Sequence, residues 1–256
     1  MNTIPSSEIL KINNVSLGYN KVIYSQITAS ASSGEMIAIA GANGMGKSTL
    51  LRSISGILRY HNGEIIISGK KVEEYTPKEL ASEISFVPSQ SPRAKNFSLL
   101  SMVSMGCYNR SNWLGQITNQ DRELIMETLH KVGLGGMENR DSSQLSDGEF
   151  QRAAIARSLV QQSRIILLDE PTAFLDISNR ITITKLLKEI AIKENKCIIF
   201  STHDLLQAFK LCNKMWIMGY DNFFEGDPDS LAESGAFDKM FKNSGLKFDK
   251  NLFTYL

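Results

Sequence analysis

The chain has 256 residues, with 28 Lys and Arg against 27 Asp and Glu and a formal charge of +1. That length allows one large domain or two small ones, with a full core that needs neither disulfides nor a structural metal. The charge balance argues against a nucleic-acid protein held by bulk charge, and 42% hydrophobic with 21% charged residues excludes a disordered or collagen-like chain.

Residues 1–14 lack a basic start followed by an apolar block, so no signal peptide is expected. From Ile9 to Ile27 apolar and polar residues alternate, which predicts short antiparallel strands around a turn at 18–20. Residues 36–40 (M-I-A-I-A) predict a buried strand, 47–58 a helix and 64–68 a further strand. The stretch 90–136 reads as mostly helical, including a helix over 119–132, and is a candidate separate lobe. Then follow a helix over 148–160, a strand over 165–168, a helix over 178–190, a strand over 196–201, a helix over 204–211 and a strand over 215–218. Continuous apolar strands alternating with helices imply a parallel α/β sheet buried on both faces. No apolar run approaches the ~18 residues of a membrane span. Cys107, Cys197 and Cys212 are odd in number and form no metal pattern, so buried thiols in a reducing, cytoplasmic setting are expected.

Residues 41–48 read G-A-N-G-M-G-K-S, between a predicted strand and a predicted helix. Glycines let successive backbone N–H groups curl around phosphates, and the helix adds the positive end of its dipole. Gly41, Ala42, Asn43, Gly44, Met45, Gly46, Lys47, Ser48 and the following Thr49 are therefore the candidate phosphate cradle. Within it, Lys47 is expected to reach the β- and γ-phosphates and Ser48 to ligate Mg²⁺. The strand at 165–168 ends in Asp169 and Glu170. Asp169 is expected to hold Mg²⁺ through its water shell, and Glu170 to take a proton from an attacking water. Taken alone, two such acids also suit a solvated loop. Residues 144–152 (Q-L-S-D-G-E-F-Q-R) open a helix with Ser146 as N-cap and Gly148 freeing an amide, which suits an anion or simply an ordinary capped helix.

The phosphate loop, L-S-D-G-E at 145–149, I-I-L-L-D-E-P-T at 165–172, F-L-D at 174–176 and S-T-H-D at 201–204 occur in that order. This set resembles the ATP-binding cassette ATPases, the nucleotide-binding subunits of ABC transporters, over nearly the whole chain. The resemblance implies one ABC ATPase domain over 1–256. Its parts would be a P-loop NTPase core with a parallel sheet, an N-terminal antiparallel β subdomain and a helical signature lobe at about 91–160. It implies that Tyr19 stacks on adenine, and that Gln90 senses Mg²⁺ and the attacking water and links to the membrane partner. Ser146 and Gly148 would contact the γ-phosphate of ATP held by a second subunit, Asp176 would couple the two sites, and His203 would grip the γ-phosphate. His61 and His130 match nothing and are read as surface residues. Two departures stand out: Asp147 and Glu149 replace the commoner residues of the signature, and Met45 replaces a small residue. An acid turned toward a phosphate would repel it, so Asp147 is expected to point away.

S-M-V-S-M-G-C at 101–107, L-S-D-G-E-F-Q-R at 145–152, P-T-A-F-L-D-I at 171–177, S-T-H-D-L-L-Q-A at 201–208 and the ending at 245–253 resemble the ATPases of iron-chelate (siderophore), heme and vitamin B12 importers. The implied assembly is a homodimer of ATPase subunits under integral-membrane permease subunits, served indirectly by a substrate-binding protein. It would sit peripherally on the cytoplasmic face of the cell membrane, with ATP and Mg²⁺ as ligands and no nucleic acid. A cytosolic scaffold ATPase of iron–sulfur cluster assembly and an exporter cassette are the rival readings.

Overall fold

The computed structural model describes residues 8–110, 117–240, 248–249 and 254–255. Met1–Ser7, part of the stretch read as free of a leader, and most of the ending at 245–253 lie outside the described residues. The early alternation forms β1 (Glu8–Gly18) and β2 (Val22–Ser32), paired antiparallel. Next come β3 (Met36–Gly41), α1 (Lys47–Ile54), β4 (Asn62–Ile67) and the two-residue β5 (Lys70–Lys71). The order β2-β1-β4-β5 makes one antiparallel sheet. The chain continues through α2 (Pro77–Glu83), β6 (Ile84–Val87), α3 (Leu99–Ser104), α4 (Asn119–Lys131), α5 (Asp147–Val160), β7 (Ile165–Leu168) and α6 (Ile177–Lys193). It then forms β8 (Cys197–Ser201), α7 (Leu205–Leu211), β9 (Lys214–Met218), β10 (Phe223–Gly226) and α8 (Pro228–Glu233).

The second sheet has the order β10-β9-β3-β8-β7-β6, parallel except for the edge strand β10. Its strands β3, β7 and β8 are buried on both faces, and their residues divide by parity between two cores. Ile37, Ile39, Ile165, Leu167, Cys197 and Ile199 face α1 and the antiparallel sheet. Met36, Ala38, Ile166, Leu168, Ile198 and Phe200 face α3, α4, α5 and α6. This is the period-2 geometry of a strand applied to a sheet covered on both sides.

Several expectations need correction. The helix of the phosphate loop stops at Ile54 rather than near 58, because Gly56 takes a left-handed turn (φ 71°) that ends it. Residues 111–116 of the stretch 90–136 lie outside the described residues; in the rest Ser91–Phe97 carry no helix, α3 is six residues long, and α4 matches the expected span. Among the described residues α2, β6, β10 and α8 were not anticipated.

Candidate functional site

The carboxyl ends of β3, β8, β7 and β6 lie along one edge of the parallel sheet, where an open α/β sheet offers its binding crevice. The loop leaving β3 carries Gly44 (φ 80°) and Gly46 (φ 101°), conformations that cost a side chain dearly. Gly46 is the N-cap of α1 and gives it no side-chain cap. The seven other α-helices described are each capped by a Ser, Thr or Asp side chain. The first N–H groups of α1 are thus left for an outside acceptor. Lys47 sits beneath them, 5% exposed, with Nζ donating to the carbonyls of Gly41 (2.9 Å) and Ala42 (3.2 Å). It forms no ion pair within the described residues. Burial pulls its pKa down, against the upward pull of Glu170 and Asp169. A buried ammonium beside an uncapped helix end is a seat for an anion.

Facing it is a hydrogen-bonded row. Ser48 Oγ donates to Asp169 Oδ1 at 2.9 Å, and Ser201 Oγ donates to the same oxygen at 2.8 Å. Ser201 Oγ also accepts the N–H of Glu170 at 2.8 Å. Glu170 has φ 48°, and its Oε1 lies 3.1 Å from His203 Nε2. Four residues at the carboxyl ends of β7 and β8, together with Ser48 at the start of α1, therefore form one connected set, with Asp169 buried, Glu170 half-buried and His203 exposed. The sequence places Ser201 at the head of S-T-H-D but assigns it no role. It reaches Asp169 because β8 lies between β3 and β7.

The remaining candidates lie outside this row. Tyr19 is 57% exposed, and its hydroxyl accepts a hydrogen bond from Arg52 of α1 at 3.0 Å. Gln90 is exposed and lines a cleft of about 340 Å³ with Arg93, Phe150, Gln151 and Phe174. Ser146 caps α5 in a reciprocal box with Glu149: Ser146 Oγ accepts the Glu149 N–H (3.3 Å), and Glu149 Oε2 accepts the Ser146 N–H (2.8 Å). The Ser146 N–H and hydroxyl on the carboxylate, and Arg140 at 3.3 Å, hold the Glu149 carboxyl below its usual range. Asp147 pairs with Arg93. Asp176 caps α6 by accepting the Asn179 N–H at 2.7 Å and its side-chain amide at 2.9 Å. Asn179 packs so closely on Gly148 that a Cβ there would lie 2.6 Å from its Oδ1. Asp176 and the start of α5 thus meet through Asn179, another residue that the motif spacing does not reveal.

The ABC transporter family model matches residues 24–173. An uncharacterized ABC transporter ATP-binding protein of Methanocaldococcus jannaschii is 35% identical over 91% of this chain and 81% of its own length. The iron(3+)-hydroxamate import ATP-binding protein of Bacillus subtilis is 30% identical over 80% of this chain and 77% of its own. Among solved structures, cbiO1 of Clostridium perfringens, part of the transporter complex cbiONQ, superposes with a TM-score of 0.78. It is 29% identical, and the match covers 91% of this chain and 94% of that one.

Proposed function

The chain belongs to the ABC transporter family as one of its ATPases, and from that premise we propose that it powers an importer for an iron chelate, heme or cobalamin. The observation that carries the ATPase chemistry is the pairing of the one uncapped α-helix described, over buried Lys47, with the row Ser48–Asp169–Ser201–Glu170–His203. The importer branch is supported by the hydroxamate-import relative and by the stretches that resemble that branch.

In this reading the N–H groups of loop 41–49 and Lys47 bind the phosphates of ATP, and Tyr19 stacks on the adenine. The donor set suits Mg²⁺: one hydroxyl and one carboxylate, hard oxygens that leave room for phosphate and water. No cluster of three or more His, Cys, Asp or Glu exists among the described residues to hold a metal by protein alone. Ser48 and Asp169 would hold the ion, with Gln90 approaching it on closure. The metal would supply neutralisation of the β- and γ-phosphate charge. Glu170 would accept the proton of the attacking water, and His203, beside its carboxylate, would steady the γ-phosphate. Two copies would face head to tail, so that each Ser146 and Gly148 meets the triphosphate held by the other, with Asp176 coupling the two sites. The permease would be moved through a groove near Gln90 and Phe97. No helix among the described residues is long and apolar enough to cross a membrane. The subunit would sit on the cytoplasmic face of the membrane, beneath a permease fed by a substrate-binding protein.

The test is partner identification. The tagged chain is purified from native membranes in mild detergent, and what accompanies it is identified by mass spectrometry. A polytopic permease of the iron-chelate or B12 type is expected. Recovery only with soluble iron–sulfur scaffold proteins would overturn the importer reading and leave the ATPase standing.

A further inference from the structure

The start of α5 carries two acids, Asp147 and Glu149, where the proposed reading brings up a triphosphate from a second copy. Glu149 is already engaged in the capping box and by Arg140, which also donates to the Gln144 carbonyl at 3.0 Å. Asp147 has one ion-pair partner among the described residues, Arg93. The Arg93 guanidinium makes three contacts at once. One nitrogen donates to Asp147 Oδ1, the other donates to the Leu145 carbonyl at 2.6 Å, and Cζ lies over the Phe150 ring, 4.7 Å from its centre. A guanidinium fixed by two hydrogen bonds and a ring face is better ordered than an ordinary surface ion pair. Arg93 also lies three residues past Gln90 and lines the same cleft.

We propose that Arg93 is a positioning residue for the reaction: it turns Asp147 aside and cancels its charge, so that Ser146 and the Gly148 amide stay receptive to the γ-phosphate of the facing subunit. The helix N-terminus attracts an anion only while the field there is positive, and an unpaired Asp147 at the first position of α5 opposes that field. Lysine does not replace the fork, since one ammonium cannot serve Asp147 and the Leu145 carbonyl in the same geometry and stacks less well on Phe150. This inference rests on the reading of α5 as the phosphate contact across a dimer.

The experiment uses the full chain carrying Glu170→Gln, which is expected to hold ATP without turning it over. Sedimentation at low salt gives the MgATP concentration needed for half-maximal dimer. Adding Arg93→Ala is expected to raise that concentration about tenfold, as one nearby unit charge would. Combining Arg93→Ala with Asp147→Asn is expected to bring it back to within about twofold of the parent. The Arg93→Ala penalty should also shrink at about 0.5 M salt, where charge is screened. Arg93→Ala matching the parent overturns the proposal. So does a double variant as impaired as Arg93→Ala alone, since that would make Arg93 only a structural tie. A Glu170→Gln parent that forms no dimer at any MgATP concentration removes the cross-dimer reading itself, and this inference with it.

Discussion

Ser201 Oγ is the atom on which both acids of the site depend, since it donates to Asp169 and accepts from the Glu170 N–H. Ser201 is fully buried. Ser201→Ala leaves a carboxylate oxygen short of a donor and a backbone N–H without its acceptor, each worth about 1–3 kcal/mol. Urea unfolding should show a loss of about 2–6 kcal/mol. Turnover should fall while the ATP concentration for half-maximal rate changes little, because the Lys47 seat is untouched. Glu170→Gln keeps shape and should keep ATP binding, but the amide cannot take the proton, so phosphate release should drop about 10²–10⁴-fold. Normal hydrolysis by that variant would remove Glu170 as the base. At this scale Asp169 and Glu170 are legible in the sequence because an aliphatic strand ends on them. Ser201 is not, because its role comes from β8 lying between β3 and β7, and strand order is written in no local pattern.

At the scale of elements, α1 differs from the other described α-helices in leaving its N-terminus to a ligand and in burying a lysine near it. A buried ammonium without a carboxylate partner costs stability. Lys47→Ala should therefore lose ATP affinity by well over tenfold without losing stability, and its urea midpoint should equal or exceed that of the parent. Unchanged nucleotide binding would sink the phosphate-seat assignment. The strand-loop-helix unit is readable because a short continuous apolar run gives way, across a glycine-rich loop, to a helical period. α2 was missed for the opposite reason: none of its side chains is buried, so it carries no apolar period. Its one signal was the capping box of Thr76 and Glu79 around Pro77. β10 pairs antiparallel at the sheet edge with only half-buried residues, and a four-residue segment of that kind resembles a loop.

At the scale of the whole molecule, the sheet separates two cores, and both contain thiols. Cys197 lies on the side of the antiparallel sheet, and Cys107 and Cys212 on the side of the α-helical layer. All three are buried and free, as their number and spacing implied. Burial raises each thiol: Cys107 to about 11, Cys212 to about 12, and Cys197 upward as well. A thiol-specific reagent at pH 8 should leave the folded protein unlabelled and modify three sites once urea unfolds it. The pH dependence has a definite sign. In the unfolded chain a thiol ionises near about 8.5. Below that value both states hold the proton, and these groups leave stability unchanged. Above it the unfolded chain sheds protons that the folded chain keeps, so stability falls as pH rises. For Cys107 the loss runs until about pH 11, where the folded thiol ionises too. Whatever stability Cys107→Ala starts from, its urea midpoint should decline less steeply between about pH 8.5 and pH 10 than that of the parent. Parallel declines would mean that Cys107 ionises as freely in the fold as out of it, and would contradict its burial beneath α5.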